Sequence, residues 1–301
     1  MIYTVTFSPA IDYVVDLKHF EPGAINRSEG EHSMPGGKGI NVSIVLSNLG
    51  QHSKATGFLG GYTGAYIKKE LESRNIDSAF IEVEGNTRIN VKIRGEEETA
   101  INGQGPKITD EQVEELMKLL ETLTEKDLLI ISGTIPSTLP NDMYERICQR
   151  IEDHHVTLVI DATKEILLNT LRFHPLLVKP NKEELEEMFK TTIHNDAELI
   201  ENAEKLVKLG AQNVIVSLGG DGALLVGEGI EATLLPAPKG KVVNTVGAGD
   251  SLVAGFVDEY VRSGNIAKAF RRGIATGSAS AFSEGLATLE EVEALLHKME
   301  S

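Results

Sequence analysis

The stretch Thr245-Val-Gly-Ala-Gly-Asp250 sets small residues and one carboxylate directly ahead of the apolar run 251–257. Glycines let a backbone pass close to a ligand, and the N–H groups that open a helix have no partner within it. The pattern therefore describes an anion hole with a base beside it. In that reading a phosphoryl group rests on the N–H groups of Gly247, Ala248 and Gly249, while Asp250 accepts the proton of an attacking hydroxyl. A second reading stays open, because Asp is a favoured helix N-cap and Asp250 would then do no chemistry. A capping box would want Glu or Gln three residues on, where Val253 stands.

A second glycine-rich turn, Pro35-Gly-Gly-Lys-Gly-Ile-Asn-Val42, also leads into a helical pattern, over 43–50 with Gly50 as its C-cap. It carries Gly37, Lys38 and Asn41. A tight turn with a solvated lysine would explain less than this spacing contains. Strict alternation over 87–94 puts Arg88, Asn90 and Lys92 on one face of a strand and Ile89, Val91 and Ile93 on the other. The polar face is either solvated or turned to a cleft, and in a cleft Arg88 becomes a phosphate ligand. Asp12, just after the first strand, is either a turn residue or an acceptor for sugar hydroxyls.

The elements that must position these residues alternate. Strands are expected over 2–7, 13–17, 29–33, 54–59, 79–83, 127–131, 156–160, 176–178 and 213–216, with helices over 63–74, 109–123, 141–153 and 265–282, and from 183, 196 and 288. Such alternation implies a doubly wound, mostly parallel α/β sheet with right-handed crossovers, flanked by helices. The hairpin-like stretches 11–35 and 87–104 read as a small inserted β-sheet lid on a catalytic α/β domain of 1–10, 36–86 and 105–301. Ligands in these sheets bind beyond the carboxyl ends of strands, which picks out Thr134 after Ser132 and Gly133, Asp161, Lys179 with Asn181, and the run from Ser217 to Gly222.

Composition removes other classes. A formal charge of −16 argues against nucleic-acid or anionic-membrane partners, and no apolar run has the length of a membrane span. P-loop, Rossmann, protein-kinase and G-x-S-x-G motifs are missing, as is Cys-His metal spacing. The single Cys148 falls on a helical apolar face, which implies burial and a reducing, cytoplasmic setting.

The motif Gly36-Gly-Lys-Gly-Ile-Asn-Val-Ser43, with Gly50 and Gly60 beyond it, resembles the first signature of the phosphofructokinase-B, or ribokinase-like, carbohydrate kinases. Asn244-Thr-Val-Gly-Ala-Gly-Asp250, with Ala254 and Gly255 following, resembles the second. The resemblance runs nearly the whole chain. It implies a ribokinase-like fold and an ATP-dependent kinase with Asp250 as catalytic base and Gly247, Ala248 and Gly249 as the anion hole. It implies substrate contacts at Asp12, Gly37, Asn41, Asn90 and Thr134, and the positive charges of Arg27, Lys38 and Arg88 would let them gather on an existing phosphate. Contacts to ATP fall on Lys179, Asn181, Ser217, Gly219, Gly220, Gly222, Thr245 and Val246. Asn181 and Glu184 match an N-x-x-E motif that holds Mg2+ through water; acids offsetting a helix dipole explain Glu184 equally well. Asn244 stands where many relatives have Asp, which weakens a monovalent-cation site. Among acceptors the resemblance favours fructose 1-phosphate, giving fructose 1,6-bisphosphate, over tagatose 6-phosphate or fructose 6-phosphate. A homodimer through the β lid is also implied. The reading from a different class is a non-catalytic sugar-phosphate sensor on the same scaffold.

Overall fold

The strand Leu128-Leu-Ile-Ile-Ser132 is buried at every position, the signature of a parallel strand covered on both faces. A computed structural model, describing residues 1–300, places it near the middle of a nine-stranded sheet. In chain order the first half runs β1 (Ile2–Thr6), β2 (Ala10–Asp16), β3 (Gly30–Gly36), α1 (Lys38–Asn48), β4 (Ser53–Leu59), α2 (Gly61–Ser73), β5 (Asp77–Glu82), β6 (Arg88–Arg94), β7 (Thr99–Asn102), α3 (Asp110–Leu120) and β8 (Leu128–Ser132). Next come α4 (Met143–Arg150), β9 (Thr157–Asp161), α5 (Lys164–Thr170), β10 (Leu177–Val178), α6 (Lys182–Phe189), α7 (Asp196–Lys208) and β11 (Asn213–Ser217). The chain closes with β12 (Ala223–Gly227), β13 (Ile230–Leu235), α8 (Ala248–Ser263), α9 (Ile266–Phe282) and α10 (Leu289–Glu300).

The large sheet has the order β13-β12-β11-β10-β9-β8-β1-β4-β5, parallel from β11 to β5 with β12 and β13 antiparallel at one edge. Successive residues of one strand face opposite cores. Leu129 and Ile131 pack with Met117, Tyr144 and Leu206, while Leu128 and Ile130 pack with Val45, Phe256 and Phe270. Full burial of each such side chain contributes about 1.5–3 kcal/mol, and this burial holds both helix layers to the sheet. Among the described residues no helix is long and apolar enough to cross a membrane.

A separate four-stranded sheet has the order β3-β2-β6-β7. Its two hairpins are antiparallel, and β2 joins β6 in parallel with Asp12 opposite Asn90 and Asp16 opposite Arg94. Ile11 anchors it to the main body, packing with Ile40 and Ile44 of α1 and Ile67 of α2.

Two helices start earlier than the apolar pattern implies. α1 begins at Lys38 rather than near residue 43, and α8 at Ala248, ahead of the carboxylate. In both cases glycines hide the first turn from a hydrophobic-periodicity reading. Gly39 is required there, because a Cβ would stand 2.7 Å from the Val5 carbonyl oxygen where α1 lies against β1.

Candidate active site

Gly247 turns the chain into α8 in the left-handed region, with φ of 80°, and a Cβ there would stand 2.7 Å from Leu286. The Ser251 N–H is the first to bond back, to the Gly247 carbonyl at 2.8 Å, so the N–H groups of Gly249 and Asp250 precede the helical ladder. Ala248 differs from expectation, because its N–H donates to the Thr245 carbonyl at 3.2 Å and closes the turn. The open donors are therefore Gly247, Gly249 and Asp250.

The N-cap reading of Asp250 fails. It is the third residue of α8, and no side chain caps that helix. Its carboxylate is buried and accepts a hydrogen bond from Asn41 Nδ2 at 2.8 Å. Burial, reinforced by the charge of Asp161, pushes its pKa up to about 6, while Asn41, Lys38 and Lys179 pull the other way. A carboxylate poised there can take a proton near neutral pH.

Lys38 and Asn41 lie three residues apart on α1 and so share a helix face. Lys38 Nζ reaches Asp161 Oδ2 at 3.1 Å, and Lys179 Nζ lies 3.5 Å from the other oxygen. Burial penalises the Asp161 charge, but the two lysines outweigh it and hold the group below its ordinary value. Burial likewise works against the Lys38 ammonium, and Asp161 and Asp250 outweigh it, raising that group. Around these residues is a cleft of about 380 Å³, lined also by Gly37, Arg88, Thr134, Val246, Gly247 and Gly249.

Arg88 is half committed. Its guanidinium donates to the Ser8 carbonyl at 3.1 Å and the Gly103 carbonyl at 3.5 Å, and its buried Nε has no partner among the described residues. Within this chain Arg27 lines neither this cleft nor the cavity beside Asp12. It is exposed on the connection 17–29, which leaves the sheet at Asp16 and Gly30, whereas Arg88 pairs at Ala10. Six strand steps separate those ends, about 20 Å. Lys38 also faces Asp161 and Asp250 rather than a phosphate site shared with Arg27.

Asp12 accepts from Asn90 Nδ2 at 2.9 Å and from Lys92 Nζ at 3.2 Å. Asp12 and Lys92 line an adjoining cavity of about 370 Å³ that shares Asn41 and Val246 with the central cleft. The alternating stripe contains Lys92 without revealing its carboxylate partner, and the strand-end rule reaches Asp161 without revealing the two lysines on it.

A third cavity, of about 900 Å³, is lined by Asn181, Ser217 and Gly219. Gly220 is exposed beside it, and Thr245 is exposed on the segment leading to α8. Gly222 serves the backbone: its φ is 105° and a Cβ would stand 2.0 Å from the Leu235 carbonyl oxygen. Asn181 and Glu184 form a reciprocal capping box for α6, with the Glu184 N–H donating to Asn181 Oδ1 at 2.7 Å and the Asn181 N–H to Glu184 Oε2 at 2.9 Å. Among the described residues no group of three or more His, Cys, Asp or Glu could hold a metal directly. The donors present fit a Mg2+ ion held through water and substrate phosphates, with Glu184 Oε1 outside the cap. The wide cavity and the open amides of α8 fit a nucleotide triphosphate.

Residues 5–292 match the pfkB family carbohydrate kinase profile. The chain is 48% identical over 297 residues to 1-phosphofructokinase of Bacillus subtilis (strain 168), covering 98% of this chain and 97% of that one. It is 37% identical over 295 residues to D-tagatose-1-phosphate kinase of Bacillus licheniformis, covering 97% and 96%. The crystal structure of phosphofructokinase-2 from Escherichia coli in complex with substrates and products matches with a TM-score of 0.93 at 26% identity, covering 100% of this chain and 99% of that one. The ribokinase-like fold expected from the two signatures is present, and ATP use follows from kinase membership. The chain belongs to the pfkB family of carbohydrate kinases.

Proposed function

We propose that this protein transfers the γ-phosphoryl of ATP to fructose 1-phosphate, giving fructose 1,6-bisphosphate and ADP. The observation that carries the reading is the buried Asp250 with its pKa near 6, set at a helix start among Asn41, Lys38 and Lys179. Similarity to 1-phosphofructokinase over nearly the whole chain supports the acceptor. The cavity beside Asn181 and Ser217 receives the nucleotide, and Asp12 and Asn41 orient the sugar hydroxyls. Arg88, which lines the cleft, answers the existing phosphate with the terminal N–H groups that the Ser8 and Gly103 carbonyls leave free. Asp250 then takes the proton of the free primary hydroxyl, while the Gly249 and Asp250 amides with Lys38 and Lys179 stabilise the charge on the transferred group. Mg2+, oriented through water by Glu184, would neutralise phosphate charge as the bond to the leaving oxygen breaks.

A second acceptor, D-tagatose 1-phosphate, is favoured by the relative bearing that name. Fructose 1-phosphate and tagatose 1-phosphate differ only in configuration at C4, so Asp12 and its partners must read one hydroxyl. ADP release measured side by side with fructose 1-phosphate, tagatose 1-phosphate, fructose 6-phosphate and tagatose 6-phosphate tests the assignment. Fructose 1-phosphate should have the highest kcat/KM, and preference for any other would overturn it. No ADP release with any of them would favour the sensor reading.

The small sheet acts as the lid and as a dimer surface. Its face opposite Asp12 carries Ile89, Val91, Ile93 and Ile101, with Ile89 and Ile101 exposed, and a second copy would cover this apolar strip. Sedimentation should give a dimer, and Ile101→Glu should return it to monomer; wild-type protein sedimenting as a monomer would remove the proposal. A cytoplasmic setting fits the one thiol, buried and pushed up to about 12; cell fractionation finding the chain outside the cytoplasm would oppose it.

A further inference from the structure

Two ammonium groups enter the central cleft from different elements, and a single carboxylate holds both. Asp161 is the last residue of β9, and Val178 pairs with Ile160, so Lys179 emerges from β10 level with Asp161. Lys38 approaches from the start of α1, its stem lying over Gly133, where a Cβ would be 3.6 Å from Lys38 Cβ. Lys179 Nζ lies beneath the first turn of α8, 3.3 Å from where a Cβ of residue 249 would stand. The glycine at 249 thus keeps the space between the helix start and the ammonium clear.

We propose that Asp161 is a positioning residue that holds Lys38 and Lys179 as a converging pair on the path of the transferred phosphoryl, an inference that rests on the kinase reading above. Without it, two like charges would face each other and two rotamer-rich side chains would be free to leave. With it, each ammonium gives one donor to the carboxylate and keeps two for phosphoryl oxygens. The three groups together carry one net positive charge, set beside the open amides of Gly249 and Asp250. Asp161 touches no reacting atom in this account; it acts through the lysines.

The test is Asp161→Asn, which keeps the shape and removes the charge, assayed for ADP release alone and combined with Lys38→Met. Turnover should fall about 10- to 100-fold, the range for losing charge-assisted hydrogen bonds. KM for the sugar phosphate should stay within about threefold, since that site is built by other residues. The double variant should lose much less than the product of the two single losses, because both changes break one unit. The groups facing Asp250 are Lys38 and Asn41 from α1, Asp161 from β9 and Lys179 after β10. Removing the Asp161 charge should therefore move the acid limb of kcat/KM to lower pH, a change that simple loosening of the fold would not produce. Wild-type turnover in Asp161→Asn, independent losses in the double variant, an unmoved acid limb, or full recovery with excess Mg2+ would each overturn the proposal, the last by assigning Asp161 to the metal. If Asp161→Asn does not fold, Lys38→Met against Lys179→Met reads the same coupling. A wild-type chain that releases no ADP brings down the kinase reading itself, a result distinct from all of these.

Discussion

Asp250 and Asp258 lie two turns apart on α8, both withdrawn from water, and the molecule treats their charges differently. Asp258 accepts from Arg272 Nε at 2.5 Å, from Arg262 Nη1 at 3.4 Å and from Gln51 Nε2 at 2.9 Å. Asp250 accepts from one neutral amide, that of Asn41, and its nearest cations are tied to Asp161. A buried charge with a guanidinium on it locks helices together. A buried charge without one keeps an appetite for a proton, and that is the property a base needs.

The largest expected effect is on turnover at the unpaired carboxylate. Asp250→Asn should reduce kcat by about 10²–10⁴-fold, the usual contribution of a positioned general base, with KM little changed. Steady-state ADP release measures it, and the same assay on Asp258→Asn should find folded enzyme close to wild type.

The comparison inverts for stability. Asp258→Ala leaves the buried Arg272 Nε without its partner, with only the exposed Glu293 on Nη1, and should destabilise the fold by about 3–5 kcal/mol in urea denaturation. A loss below about 1 kcal/mol would mean that the pair contributes no more than a surface ion pair.

Asp250→Asn should do the opposite and stabilise. Its folded pKa, about 6, lies above the ordinary 3.8, so the native state holds the proton more tightly between those values. Stability from this group is complete below about pH 4, is lost as pH rises to about 6, and stays lost above. At pH 8 the variant should therefore be more stable than wild type by up to about 3 kcal/mol, and the difference should vanish near pH 4. Equal denaturation midpoints at pH 8 would contradict the strain assigned to Asp250.

A smaller effect sharpens the role of the amide. Asn41→Ala removes the one hydrogen bond that favours the charged form of Asp250, so the acid limb of kcat/KM should move upward by about one pH unit. A limb that stays in place would mean that Asn41 orients the carboxylate without tuning it.

Much of the functional half of this comparison was legible in the sequence. The two glycine-rich turns stand out because they break apolar periodicity just ahead of helices, and the alternation of Arg88, Asn90 and Lys92 marks one face of a strand. The remainder depends on contacts between distant parts of the chain. Asp161 could be located at a strand end, but its lysine partners are fixed only by the register of β9 with β10 and the seating of α1 on β1. Arg27 looked like a phosphate ligand by charge alone, and only the pairing of β2 with β3 shows which end of the sheet it leaves. The partnership of Asp258 with Arg272 has no local signature, because it joins α8 to α9 across a turn. Asn181 and Glu184 are open in the sequence to a metal-holding motif or to acids offsetting a helix dipole; the structure adds a reciprocal capping box that neither reading names, and the Glu184 charge also raises Lys38.

The central claim is that Asp250 takes the proton from the acceptor hydroxyl. Its most direct test is the pH dependence of kcat/KM for fructose 1-phosphate, which reports the free enzyme, in wild type and Asp250→Asn. The account predicts a wild-type acid limb with a midpoint near 6 and a variant whose residual rate lacks that limb. An Asp250→Asn enzyme with near-normal turnover and the same midpoint would contradict it.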